Sequence, residues 1–331
     1  MQKIQKATLV LANHRPEAIS AAHALMCSHD AIILEEPPDP NFSSMLNDSL
    51  SIDAYLEEQE MEYPEFSRQM AERLREYYRE GIRLYQVEPF IEHLLSIHER
   101  FAEGESPSDI PAGTILQQVY QSEKRATAAL IHFYDTSLES SFEETLEAVK
   151  RFARSDASRF ALRDHLRAEA IAKLLPSTGR TYIEAGPIHY PLWWELRRRL
   201  PNGYPLKVNF LMADAVRELG GSRHLYGPGD LLTLLYRFHP KGRFRRESLL
   251  AAQALIYNKL IVKEEIVGSN EKYPHTRDEL YVGEITDQLS LNDCRILYPL
   301  IRNTTTPKAR IWVKRYLSDR RNRLSAPQCE A

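Results

Sequence analysis

Glycine is scarce in this chain, 13 in 331 residues, which excludes a loop-dominated protein and predicts abundant helix. Cysteine is scarcer. Cys27, Cys294 and Cys329 are far apart and odd in number. They form neither a CxxC metal spacing nor a disulfide framework, so a reducing, cytoplasmic setting is expected. No run approaches the roughly 20 apolar residues of a spanning helix, so no membrane role is expected. The N-terminal "MQKIQKATLVLANH" has an apolar run of strand length without a small-residue cleavage site, and reads as a first strand and not a signal peptide. The formal net charge of −3 argues against a general binder of nucleic acid or acidic membranes. There is no GxSxG, HExxH or GxGxxG. The glycine-rich "GGSRHLYGPGD" (220–230) lacks the strand–GxxxxGK–helix context of a phosphate loop.

What is present is ordinary globular material, 43% hydrophobic and 27% charged, sufficient for one large α/β domain or two smaller ones. Short apolar runs at 7–12, 31–35, 82–90, 180–186 and 204–211 read as strands, separated by helical patterns. Runs of this kind suggest a sheet covered on both faces. Helices are predicted near 51–60, 64–80, 114–134, 139–153 and 157–175, with a Pro/Ser-rich loop at 37–49 as a candidate rim. Beyond 212 the pattern is helical, near 213–219, 229–237, 246–262, 276–287, 289–302 and 309–323. The expected organisation is an α/β core over 1–211 bearing the cleft, and a mostly helical region over 212–331 packed on it.

Two stretches share one design. "KATLVLANHRPEAI" and "RTYIEAGPIHYPLWWEL" are each a strand-like run ending in a histidine, His14 or His189, before a helical pattern. A third strand, "DAIILEE", ends in Glu35 and Glu36, which alternation sends to opposite faces. Strand ends are where open α/β sheets place ligands and catalytic groups. Two histidines and a carboxylate suit either a divalent metal or acid–base chemistry. Glu35 is the favoured carboxylate and Glu36 its close alternative. Gly186 offers close backbone approach, and Glu184, on its face, a second carboxylate. Tyr85 offers a phenolic hydroxyl. In "RFALRDHLRAEAIAKLL" (159–175), Leu162, Leu166, Ala170 and Leu174 make the expected buried stripe. Arg163 and Arg167 lie beside it, placed either to bind an anion or to snorkel over apolar surface.

These motifs, in this order, resemble the TraB/Tiki superfamily, related to erythromycin esterase and the ChaN-like haem-binding proteins. Its members show strand–GxxH, a strand ending in Glu, an "RDxxMAxxI" helix and a second strand–GxxH. Here "LVLANH" carries Leu11 where the family has Gly. "RDHLRAEAI" keeps Arg163, Asp164, Ala168 and Ile171, with Arg167 where Met is usual, and "IEAGPIH" supplies Gly186 and His189. The resemblance covers about 1–200. It implies an α+β fold whose mixed central sheet is built from two related halves, flanked by many helices. It also implies a site centred on His14, Glu35 and His189, with Arg163 in support.

Three functions compete at this level. The first is a hydrolase of an ester, lactone or amide in a small molecule or peptide. His14 or His189 would activate water, directly or on a metal (Mn, Co, Zn or Fe) held by His14, Glu35 and His189, and Arg163 or the Gly186 N–H would stabilise the oxyanion. The second is a binding protein for a small ligand, haem or metal, without turnover. The third is an interaction module whose C-terminal helices dock a partner or a second copy as a homodimer.

Overall fold

The computed structural model describes residues 5–57, 62–221, 226–242 and 245–325. Five strands form one sheet: β1 (Lys6–Leu11), β2 (Ala31–Leu34), β3 (Arg83–Gln86), β4 (Arg180–Ala185) and β5 (Leu206–Phe210), in the order β3-β2-β4-β1-β5. Around them run α1 (Ile19–Met26), α2 (Phe42–Leu46), α3 (Ile52–Glu57), α4 (Pro64–Arg79), α5 (Pro89–Ala102), α6 (Ile115–Glu139), α7 (Phe142–Thr178), α8 (Leu192–Arg199), α9 (Ala213–Glu218), α10 (Pro228–Phe238), α11 (Glu247–Leu260), α12 (Pro274–Asp287), α13 (Leu291–Ile301) and α14 (Thr306–Ser325). The class is α/β with a helical C-terminal region. Every strand pair is parallel, so the sheet is not mixed as the resemblance implied. Each connection is a helical crossover, which parallel neighbours require.

The direction of those crossovers decides where the site lies. The chain leaves β1 through α1 for β2, then through α2–α4 for β3, always toward one edge. These helices bury one face of the sheet, where Val10, Ile32, Leu34 and Tyr182 meet Ile19, Met26, Phe66, Leu74 and Tyr77. From β3 the chain returns through α7 to β4, then through α8 to β5, toward the other edge. These helices bury the second face, where Leu9, Leu11, Ile33, Ile183 and Ala185 meet Ala168, Ile171, Leu175, Leu192 and Leu196. Neighbouring β1 and β4 therefore lead away in opposite directions. A crevice opens outside their carboxyl ends, the usual ligand position in an open α/β sheet.

Two helices predicted at 139–153 and 157–175 are one helix, α7. The junction at 154–156 holds no glycine or proline, and Asp156 pairs with Arg159 one turn on at 2.6 Å. Gly179 ends that region at φ +75°, and a Cβ there would stand 2.8 Å from Asp30 Oδ2, which the Arg180 N–H needs at 2.9 Å. The predicted 37–49 loop contains the short α2.

Two compact units divide the chain, the first Met1–Thr127, Ser155–His224 and Glu264–Arg277, the second Ala128–Arg154, Leu225–Lys263 and Asp278–Ala331. Neither unit begins or ends at 211/212. The sheet and both its faces belong to the first. In it, Glu265 caps α4 through the Glu65 and Phe66 N–H groups, both at 2.9 Å, and Glu17 caps α12 through the His275 and Thr276 N–H groups at 2.9 and 2.8 Å. In the second, α11 packs on α10, α13 and α14. Leu250 through Ile256 are buried in unbroken succession, as befits a helix enclosed on all sides. Among the described residues no helix is long and apolar enough to cross a membrane.

Candidate functional site

The six residues expected at strand ends all lie at the carboxyl edge of the sheet, but on two faces. His189 sits in the 3-10 turn Pro187–His189 that leads into α8 on the second face. His14 follows β1 and leads through the turn Pro16–Ala18 into α1 on the first. The two strand–histidine units mirror one another, and opposite crossovers carry their histidines apart. His14, Glu35 and His189 thus do not form one three-ligand centre.

On the second face, Glu35 continues the row of Ile33. Its Oε2 accepts the Gly186 N–H at 2.6 Å, its Oε1 meets His189 Nε2 at 2.8 Å, and Arg163 and Arg167 lie at 3.5 and 3.8 Å. Asp164 Oδ1 takes the other imidazole nitrogen at 2.6 Å. Arg167 donates to the carbonyls of Val87 and Glu184 at 2.9 and 2.6 Å. Glu88 pairs with Arg163 at 3.1 Å and Arg167 at 4.0 Å. Burial pushes the Glu35 carboxyl up, but the His189, Arg167 and Arg163 charges outweigh it and hold the group well below the usual carboxylate range. Burial likewise lowers His189, but Glu35 and Asp164 outweigh that and raise it to about 9. Burial also lowers Arg163, and Glu88 and Glu35 raise it. Three carboxylates therefore face two guanidiniums and one imidazolium in a charge-balanced, nearly dry cluster.

That cluster does not fit a divalent cation. Both His189 nitrogens already face carboxylates, Glu35 at 2.8 Å and Asp164 at 2.6 Å, and two guanidiniums crowd Glu35, so neither side chain has a lone pair directed to a shared open position. Among the described residues no three His, Cys, Asp or Glu side chains converge in a metal-holding arrangement. The expected oxyanion donors are also engaged, Gly186 N–H by Glu35 and Arg163 by two carboxylates. At Gly186 itself φ is −64°, and a Cβ would stand 3.8 Å from Glu35 Oε2, an ordinary contact. This strand end uses the residue's N–H and has no need of its missing side chain.

On the first face, Glu184 is buried, accepts the Glu35 N–H at 3.2 Å through Oε2, and faces His14 Nε2 at 3.6 Å through Oε1. The His14 ring stacks on Phe66 at 4.8 Å and 9°. Its side chain is 37% exposed, which leaves one edge open to a small molecule. Glu36 accepts from Gln86 Nε2 at 3.0 Å. Burial raises its pKa, the Gln86 bond opposes this, and the charge of Glu184 adds to the rise. Tyr85, expected to reach the pocket, turns with Ile33 into the apolar second face. Its neighbour Gln86 takes the polar place.

Asp164, Arg167 and Glu88 complete the second-face cluster; Arg167 was expected either to bind an anion or to snorkel and does the former, Asp164 was noted only as a motif residue, and Glu88 was not singled out. The stripe of α7 against the sheet is Asp164, Arg167, Ala168, Ile171 and Leu175, all fully buried. Leu162 and Leu166 face Phe90 and Val119 instead. The signal was the "RDHLR" spacing, which puts Asp164 and Arg167 one turn apart on one face.

No family model matches the chain, and no solved structure matches it. An uncharacterized protein of Archaeoglobus fulgidus is 28% identical over 291 residues, covering 88% of this chain and 97% of that protein.

Proposed function

We propose that the first-face edge hydrolyses an ester, lactone or amide bond in a small molecule or peptide, with His14 as general base. The observation that carries this reading is the half-open His14 ring backed by the buried Glu184 carboxylate at 3.6 Å. In this reading Nε2, turned to Glu184, holds the proton, and Nδ1 keeps the lone pair. A base–carboxylate distance of this length tightens when the substrate complex forms. The water oxygen bonds to the carbonyl carbon, its proton passes to Nδ1, and the π pair moves onto the carbonyl oxygen. Collapse of that intermediate breaks the C–O or C–N bond. The leaving group takes its proton from the imidazolium or from the Glu36 carboxyl, whose raised pKa suits it to donate. The second-face cluster acts indirectly, because Arg167 holds the Glu184 carbonyl and the Glu35 N–H holds the Glu184 side chain. The resemblance to the TraB/Tiki superfamily supports this reading, since the related erythromycin esterases open a lactone with a histidine base and glutamates.

The test is turnover of nitrophenyl esters, aryl lactones and peptide anilides by the purified full chain, with and without EDTA. One class should be hydrolysed, EDTA should leave the rate unchanged, and His14→Ala should lower kcat/KM about 100-fold with an unchanged circular dichroism spectrum. No turnover across the panel, a His14→Ala rate equal to wild type, or a rate abolished by EDTA would each sink the proposal.

A further inference from the structure

Arg15, next to His14, differs from the other arginines of this edge. Arg163 and Arg167 are held by Glu35 and Glu88. Arg15 sits over the Tyr63 ring, its guanidinium carbon 4.0 Å from the ring centroid. Its Nε and Nη1 are buried, and neither has a hydrogen-bond partner among the described residues. Burial and a hydrogen bond to Glu62 push the Tyr63 hydroxyl up to about 12 against the lowering effect of the Arg15 charge and its hydrogen bond, so the platform stays a neutral phenol. His14 and Arg15 thus rest on the aromatic rings at positions 66 and 63, at the start of α4. The capping carboxylate of Glu265 fixes that start.

A guanidinium is permanently charged, and its donors are costly to bury unpaired. Stacking on a ring satisfies the face of the cation and leaves Nε and Nη1 without an acceptor. Unpaired donors this close to a half-open base are placed for an acceptor that reaches them as the ligand binds.

We infer that Arg15 binds a carboxylate of the substrate, so that the site takes carboxylate-bearing esters, lactones or amides in preference to neutral ones. This rests on the hydrolase reading for the word substrate, but the binding stands without turnover. A carboxylate suits these donors better than a neutral oxygen, because charge-assisted hydrogen bonds are roughly twice as strong. Arg15 acts here through contact with the ligand's charged group, while His14 acts at the bond that breaks.

The experiment is calorimetric titration of the full chain with benzoate, with benzamide as its neutral isostere and with inorganic phosphate. Wild type should bind benzoate at least tenfold more tightly than benzamide or phosphate. Arg15→Gln should weaken benzoate about 10- to 100-fold, the worth of a charged hydrogen bond, and leave benzamide binding little changed. Arg15→Lys, which keeps the charge but not the placement of these donors, should fall between. Tyr63→Leu, which removes the platform and leaves the charge, should weaken benzoate as well, so the inference does not hang on one variant folding. Equal binding of benzoate and benzamide, undiminished benzoate binding in Arg15→Gln, or tighter binding of phosphate than of benzoate would each overturn it. Turnover without an Arg15-dependent preference for benzoate defeats this inference alone. An Arg15-dependent preference without turnover defeats the hydrolase reading alone.

Discussion

Arg167→Met should destabilise the protein by about 3–5 kcal/mol, the usual result of removing one member of a buried ion cluster. Arg167 is fully buried. It donates to two backbone carbonyls, on β4 and beside β3, and lies 3.8 Å from Glu35 and 4.0 Å from Glu88. Methionine fills much of the same volume, so little of the loss is a cavity. What remains is a cluster of three carboxylates against one guanidinium and one imidazolium, with two carbonyls that have lost a donor. The thermal midpoint should fall by roughly 6–20 °C at 2–4 °C per kcal/mol, measured by differential scanning calorimetry. Arg163→Met, at a side chain 17% exposed whose hydrogen bond goes to the Glu88 carboxylate, should cost less. A drop below about 1 kcal/mol for Arg167→Met would show that the cluster does not hold this edge of the sheet.

The strands and most helices were legible because each is a short apolar run or an amphipathic stretch bounded by its own punctuation. The limits appear where a choice depends on partners distant in sequence. The α7 stripe was placed one residue off. Leu162 and Leu166 look like the natural core positions, while Asp164 and Arg167 look like solvent residues until Glu35, Glu88 and His189 supply their partners. The strand-end residues were also legible, but not their division between two faces. Alternation separates Glu35 from Glu36 directly. Separating His14 from His189 requires knowing that the chain leaves β1 and β4 in opposite directions, which is a property of strand order and not of either motif. The expectation of one metal centre followed from treating the two motifs as facing each other. Arg15 was overlooked because an arginine beside a histidine carries no periodic signal, and its meaning comes from Tyr63, 48 positions away.

Stability should be greatest in mildly acidic solution and fall on the alkaline side through His189. The signs follow from the two shifts. Glu35 is depressed when folded, so its contribution is present above the unfolded value of 4.5 and is lost as pH falls through the much lower folded value. His189 is raised from 6.5 to about 9, so its contribution is complete below 6.5 and disappears as pH rises through 9. At about 1.4 kcal/mol per unit, the alkaline loss is on the order of 3 kcal/mol. Urea unfolding between pH 5.5 and 9.5 should show this decline in wild type. In His189→Gln, a neutral amide can still donate to Glu35 or Asp164 but has no proton to lose in that window. This variant should be less stable at pH 6 and show a flatter curve from pH 6.5 to 9. Groups common to both proteins cancel in the difference, so parallel curves would mean that His189 is not the titrating cation. In that event the three carboxylates of the cluster would lack a third positive charge, and a divalent ion would again become a candidate to balance them.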